Sequence, residues 1–315
     1  MLSRVADALF WMGRYLERAA FLARDVDVTF HLDLDLHGVL AAPVRADWDR
    51  LLPPSSPRGA PAPADGAGGA TARWILLDGT NPSSVMACVN RARNNARMIR
   101  GQLSSQMWRE LNKLYWQLSD PAFQERVAES PHDFCQDTQV GVMLCHGICE
   151  STFTHDEGWH FIQLGTHLER AEQVLRVLDA RLRVPDGADA ADLPVATLRW
   201  AAVLKRCRAF EAYQRLFISR VEAERVVEFL LLHRDFPQSA RFCLGRVLDA
   251  LAAIGGTAPE RCDSEAARGV GRIVSTLSYL DARELADGRL PAVLGDALVR
   301  CATIGGLIQG QYSLA

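Results

Sequence analysis

The sequence predicts an all-α protein, a multi-helix bundle in which two long helices carry the same motif. Apolar residues recur at helical spacing along almost all of the 315 residues, the pattern of amphipathic helices. Pro and Gly signals separate these segments by brief connections, as in helical bundles. The phrase Gly-x-x-Leu-Glu-Arg-Ala occurs at 13–19 and again at 165–171, so we expect the two helices that carry it to be related.

The repeat continues beyond the motif in the same alignment. On a helix, Gly13, Glu17, Arg24 and Asp27 fall within about 80° of one face, whereas Arg18 points elsewhere. A glycine beside an acid and a base indicates close helix approach and a shared ionic network. The second copy supplies Gly165, Glu169, Arg176 and Asp179, with Arg170 outside the stripe.

Local signals define the first helices and one loop. A long helix is expected from Ser3, its cap, to about His31. Residues 53–73 are rich in Pro, Gly and Ala, which predicts a disordered surface loop. Asn81-Pro82 predicts a cap and a first helical position for a helix reaching about Gln102.

Similar signals bound the remaining helices. Ser104 or Ser105 is expected to cap the next helix, and Asp120-Pro121 to end it and start a short successor. Later helices are expected at about 131–150, 158–184, 196–220, 223–233, 238–254, 265–280 and 291–312. We expect residues 1–315 to form one intertwined domain, because only the first long helix of each half repeats recognisably.

Composition argues against several classes of partner. A net charge of −3 differs from the basic balance of a dedicated nucleic-acid binder. No apolar run reaches the roughly 18 residues of a spanning helix, so we expect a cytoplasmic protein without a membrane partner. The eight cysteines are spread singly through helical segments, which favours reduced thiols. The sequence does not decide the oligomeric state.

The segment from Met1 to Ala19 resembles the opening of the bacterial alpha-E domain family. The resemblance spans essentially the whole chain, through Asn81-Pro82-Ser83-Ser84, 92–97, Met107-Trp108, 157–161, the second Leu-Glu-Arg-Ala, 211–213, 226–231 and Phe236-Pro237. It implies an α-helical protein whose relatives are encoded beside, or fused to, circularly permuted ATP-grasp ligase-like proteins and transglutaminase-like proteases.

Two interpretations of the repeated stripes stay open. In the first, the helices cross at their glycines and a structural clasp pairs Glu17 with Arg176 and Glu169 with Arg24, since buried charges need partners. In the second, the bundle core holds a polar pocket in which arginines bind an anionic substrate or a peptide carboxylate. Glu17 and Glu169 are then the candidate catalytic groups.

Arg93, Arg97 and Arg100 recur at i, i+4 and i+7, which predicts one basic helix face. Such a face could bind phosphate or the acidic surface of a partner. It could equally be a solvated or salt-bridged surface.

Glu157 and His160 have the Glu-x-x-His spacing of di-metal bundles. The only other match, Glu129 to His132, contains a proline at an expected helix start, so we expect no metal site. Cys145-His146 with Cys149-Glu150 lacks a partner pair at zinc-finger spacing, and buried thiols are the simpler interpretation.

Three functional hypotheses follow. The resemblance favours a partner or accessory subunit of an ATP-grasp type ligase in peptide or amide bond formation or peptide modification. We then expect no cofactor in this chain, with ATP and Mg²⁺ entering through the partner and a peptide as substrate. The alternatives are a stand-alone transferase or ligase with a Glu/Arg pocket, and a non-catalytic helical scaffold.

Overall fold

The computed structural model describes residues 1–36, 68–183, 193–218, 220–258, 261, 263–280 and 289–312. Across these ranges the protein is all-α. The α-helices are α1 Ser3–Leu36, α2 Gly68–Leu76, α3 Val85–Met98, α4 Ser105–Leu118, α5 Pro121–Glu125, α6 His132–Thr152, α7 Glu157–Leu182, α8 Leu193–Arg206, α9 Phe210–Leu216, α10 Ala223–Leu232, α11 Ala240–Gly255, α12 Glu265–Tyr279 and α13 Leu290–Tyr312. Short 3₁₀ turns lie at Arg100–Gln102 and Arg126–Ala128.

Side-chain caps start several helices where the sequence predicts them. Ser104 accepts a hydrogen bond from the Met107 amide at α4, and Asp120 accepts one from Ala122 at α5. The expected cap at Asn81 is wrong. Its side chain accepts from the Ser83 amide in a turn, and Ser84 caps α3, because a turn through Pro82 delays the helix until Val85.

Two expected segments differ from the structure. Residues 53–67 lie outside the described residues, but 68–73, expected in the loop, belong to α2, where burying Ala72, Ile75 and Leu76 stabilises the helix. The single helix expected over 196–220 is divided into α8 and α9. Arg208 lies between them at φ 50°, the left-handed conformation that ends many helices.

By their contacts the residues form two compact units. Unit 1 combines Met1–Arg14 with Thr154–Ala315, and unit 2 is Tyr15–Phe153. The division falls inside α1 and inside the first copy of the repeated motif. That the two units make one domain stays a prediction.

Helix α7 is the centre of unit 1. It packs against α8, α10, α11 and α13, while α12 packs against α11 and α13. Most residues of α7 are buried, including polar ones such as His167, Glu169 and Gln173. A helix buried on nearly every side must satisfy such groups within the protein, because water does not reach them.

The repeated glycines mark the closest approach of α1 and α7 within unit 1. A Cβ atom on Gly13 would lie 2.5 Å from the Ile162 carbonyl oxygen, and one on Gly165 would collide with the Phe10 carbonyl oxygen. The close approach that the glycines predict is therefore present, backbone against backbone. Only glycine leaves room for it.

In unit 2, α4 is the most connected of the short helices. It packs against α3, α5 and α6, and α2 packs against α3 and the turn Arg126–Ala128. The buried positions of α4, Met107, Leu111, Leu114 and Leu118, form one apolar stripe, as in an amphipathic helix.

Helix α13 corrects the expectation that no segment is long and apolar enough to cross a membrane. By length and composition alone, α13 is long and apolar enough to do so. Its most apolar window has a mean hydropathy of 1.4, and 33% of that window is buried. Asp296 and Arg300 interrupt the run of apolar residues, so the sequence shows no unbroken apolar stretch. The average hydropathy of the helix nevertheless stays high. Core helices of soluble proteins meet the same criterion, and α13 packs against α7, so the cytoplasmic location stays a prediction.

The glycine crossing yields the first prediction. Replacing Gly165 by Ala inserts a methyl group against the Phe10 carbonyl, so we expect a loss of about 1–3 kcal/mol of unfolding free energy, or more. Gly245→Ala is the matched control, because Gly245 also lies in a helix of unit 1 with open space around it. It should be neutral or stabilise by up to about 1 kcal/mol. Urea unfolding measures both, and equal stabilities would contradict the crossing.

Candidate functional site

A buried ionic cluster lies beside the glycine crossing in unit 1. Arg14 Nε donates to Glu169 Oε2 at 2.7 Å, and its Nη2 lies 2.9 Å from Glu172 Oε1. All three residues are buried. The close approach at Gly13 brings the next residue, Arg14, against the two acids of α7.

Two further side chains of α7 complete what we call the Arg14 cluster: Arg14, Glu169, Glu172, Gln173 and Arg176. Gln173 Nε2 donates to Glu169 Oε1 at 3.1 Å, and Arg176 Nη2 donates to Glu172 Oε2 at 3.1 Å. All four carboxylate oxygens thus face a donor. Paired carboxylates of this kind are typical of a structural network, although Oε1 of Gln173 is buried without a hydrogen-bond partner.

Helix α13 covers one side of the Arg14 cluster. A Cβ on Gly305 would lie 3.2 Å from an Arg14 guanidinium nitrogen, so the absence of a side chain there makes room for the arginine. Burial, and secondarily the Glu172 carboxylate, raise the pKa of the Cys301 thiol to about 12, although Arg14 and Arg176 partly oppose this. Cys301 is therefore protonated at neutral pH.

The predicted clasp pairs, Glu17 with Arg176 and Glu169 with Arg24, each join the two units and stay predictions. Within unit 1, Glu169 and Arg176 belong to one network through Arg14 and Glu172, residues that the sequence analysis missed. A signal was present. Glu169 and Glu172 are spaced i, i+3, which places both acids on one helix face.

The second copy of the stripe is less buried than the first. The side chain of Arg176 is 60% exposed, and Asp179 pairs with Arg183 at 2.9 Å near the surface. In the first copy, Glu17 and Arg24 are buried. The sequence repeat therefore does not make two equivalent sites.

In unit 2, α1 and α6 run antiparallel with a line of polar contacts that we call the α1–α6 seam. Arg24 Nε donates to Gln139 Oε1 at 3.1 Å, and Glu17 Oε2 lies 3.9 Å from Nδ1 of His146. At the other end, the rings of His31 and His132 are 5.2 Å apart. Residue numbers rise along α1 as they fall along α6.

The seam also has a sequence signal that the repeat obscured. His132, Gln139 and His146 follow one another at seven-residue intervals, as do Glu17, Arg24 and His31. Seven residues are close to two helical turns, so each set lines one side of its helix. The repeat alone pointed to partners of Glu17 and Arg24 on α7, whereas these contacts lie on α6.

Asp27, His31 and His132 form what we call the Asp27 cluster, at the His31 end of the seam. Asp27 Oδ1 lies 2.7 Å from Nδ1 of His132 and 3.4 Å from Nδ1 of His31. One ligand atom from each residue lies within 4.8 Å of the others, so the group could hold a metal ion. Asp27 was predicted to belong to the ionic stripe, and the two histidines were not part of that prediction.

The three arginines predicted to share a basic face lie partly on α3 and partly beyond its end. Arg93 donates to Asn112 at 2.6 Å and lies 4.5 Å from the Tyr115 ring. Arg97 is exposed on α3, whereas Arg100 lies in the 3₁₀ turn beyond the helix end at Met98. The helix thus ends before Arg100, although Arg93 and Arg100 both approach the Trp108 ring, at 6.0 and 5.7 Å. That the three arginines form one basic surface stays a prediction.

Other predicted site residues make ordinary contacts. Arg18 lies 6.0 Å from the ring of Tyr15, and Arg170 donates to the Pro237 carbonyl at 3.3 Å. Glu157 accepts a hydrogen bond from the amino group of Met1 at 2.9 Å. Burial, aided by His155, lowers the pKa of His160.

The cysteines in the described part of the chain are buried and form no disulfide: Cys88, Cys135, Cys145, Cys149, Cys207, Cys243 and Cys301. Burial raises the pKa of both Cys145 and Cys149 to about 12. Since the thiolate is the nucleophile, these side chains are unreactive at neutral pH.

The described residues are helical in both units, and Glu-Arg pairs recur at 17–18 and 169–170, the pattern of an all-helical protein with a repeated acid–arginine motif. The chain belongs to the Alpha-E family, described as a predicted alpha-helical domain with a conserved ER motif, whose model matches residues 1–312.

Similar curated proteins are an uncharacterized protein of Mycobacterium bovis and two of Mycobacterium tuberculosis. Each is 27% identical over 282 residues, covering 83% of this chain and 31% of the relative. The chain therefore spans about a third of the length of these relatives. No solved structure matches it.

The Arg14 cluster gives a prediction about stability. Arg14→Gln leaves Glu169 and Glu172 buried without their shared cation, so we expect a loss of about 3–5 kcal/mol of unfolding free energy. Arg176→Gln is the matched control. It removes an exposed partner of Glu172 and should cost no more than about 1 kcal/mol. Equal losses in urea unfolding would show that Arg14 has no special role.

The thiols give a prediction about reactivity. In the folded protein at neutral pH, iodoacetamide should leave Cys145, Cys149 and Cys301 unmodified, because raised pKa values and burial suppress the thiolate. Denaturation should expose all three. Peptide mass spectrometry measures both states, and rapid labelling of the folded protein would contradict the thiol environments.

Proposed function

We propose that this chain is an accessory subunit of an ATP-grasp type ligase that forms peptide or amide bonds or modifies a peptide. Two sequence arguments support the proposal. The family is one whose sequences are encoded beside or fused to ATP-grasp ligase-like proteins, as the resemblance implies. In the curated relatives the matched region is 31% of the protein, so there this kind of domain is joined to further chain.

An exposed apolar surface carries the proposal on the structural side. On the outer face of α6, Val140, Met143 and Leu144 are 60%, 54% and 46% exposed. Their i, i+3, i+4 spacing makes them adjacent on the helix; we call them the α6 stripe. Neighbouring exposed apolar side chains are typical of protein interaction sites.

The Arg14 cluster favours this proposal over a stand-alone enzyme at the same place. A catalytic base needs an oxygen that can reach substrate. Both oxygens of Glu169 and of Glu172 already face donors. The cluster is thus better suited to support the helices than to receive an activated carboxylate, and ATP and Mg²⁺ would be held by the ligase.

The test uses the ATP-grasp type protein encoded nearest to this chain. The two should co-purify, and ligase activity should depend on the present chain. Replacing Met143 and Leu144 together by Glu places two charges on the α6 stripe, so we expect binding to weaken at least about tenfold, or about 1.4 kcal/mol. Calorimetry or pull-down measures the change.

Val299→Glu is the matched control, because Val299 is also an exposed apolar residue, at 68%, but lies on α13 of unit 1. It should bind normally, and circular dichroism should show all variants helical. Stable separation of the two proteins with full ligase activity would overturn the proposal. Normal binding by the double variant would move the interface away from α6.

A further inference from the structure

We propose that the Asp27 cluster is a binding site for a divalent transition-metal ion of the Zn²⁺ class, which joins α1 to α6. Two imidazoles and one carboxylate come from two different helices. Asp27 and His31 are spaced i, i+4 on α1, so both lie on the face that meets His132. Two histidines and a carboxylate are the protein ligands of many zinc and other first-row metal sites.

Two of the three distances between ligand atoms suit such an ion after a small adjustment, and the third is at most 4.8 Å. A tetrahedral Zn²⁺ with bonds of about 2.0–2.1 Å holds its ligand atoms about 3.3 Å apart. The separation of 3.4 Å between Asp27 and His31 already agrees. The 2.7 Å between Asp27 and His132 must open by about 0.6 Å, which the partly exposed histidine ring permits.

The surroundings of the ligands also fit. Nδ1 of His31 also lies 2.8 Å from the backbone carbonyl of Asp27, so the ring already faces the cluster, and this nitrogen gives up that hydrogen bond when it binds the ion. Asp27 is mostly buried, whereas the side chains of His31 and His132 are 51% and 42% exposed. The carboxylate thus anchors the site, and the fourth position opens to water.

The ligand set selects the class of ion. Imidazole favours zinc and neighbouring transition metals, whereas Mg²⁺ and Ca²⁺ prefer oxygen ligands. The site is separate from the α6 stripe, which lies further along α6 from His132. It can therefore exist whether or not the chain serves a ligase.

The experiment uses the full chain without a histidine tag, stripped of metal by a chelator and titrated with ZnCl₂ by calorimetry. We expect one ion per chain. His31→Ala and His132→Ala should each weaken binding at least about 10- to 100-fold. His155→Ala, at an exposed histidine of unit 1, is the matched control and should bind as the parent does.

Two further readouts keep the result independent of folding defects. CoCl₂ should give the visible spectrum of a tetrahedral complex with the parent and with His155→Ala, but not with His31→Ala, whose exposed side chain is removed without loss of core packing. Zn²⁺ should raise the Tm of the parent and of His155→Ala, but not that of His31→Ala, because the ion stabilises the folded state that binds it. A folded variant that carries both His31→Ala and His132→Ala gives the baseline, and a parent chain that binds Zn²⁺ no more tightly than this variant would overturn the proposal.

Discussion

The approach of α1 to α7 at Gly13 and Gly165 is the constraint on which the centre of unit 1 depends. With backbone against backbone, Arg14 has no route to water and must find its partners on α7. It finds two acids, which in turn hold Gln173 and Arg176. The two glycines thus determine where the buried Arg14 lies. Its charge in turn determines which polar residues α7 can hold in an apolar environment.

Most of the fold follows from local chemistry and could be predicted from the sequence. Caps such as Ser104 and Asp120 begin helices because their side chains satisfy free amides nearby. The errors have tertiary causes. Burial of apolar side chains extends α2 into a segment of loop-like composition. Arg208, in the left-handed conformation, separates α8 from α9 at a position where no glycine indicates a helix end.

The candidate site was less predictable, because charged side chains choose partners by position in space. Helical geometry alone indicates which residues share a face, so the glycines and Glu169 could be anticipated. It does not indicate that the partner of Glu169 is Arg14, which lies outside the stripe. The roles of the α6 histidines could not be predicted for the same reason, since they depend on which residues of α1 lie opposite them.

Helices that meet along seven-residue intervals can interlock in more than one alignment, because apolar knobs fit equivalent holes two turns away. The α1–α6 seam removes this ambiguity. Sliding α6 by seven residues to bring Gln139 opposite Glu17 would place His132 against Arg24 and take the imidazole away from Asp27. A cation would then face a group that can carry the same charge. The polar contacts, though few, thus select one pairing of the two helices, a choice that buried apolar area alone could not make.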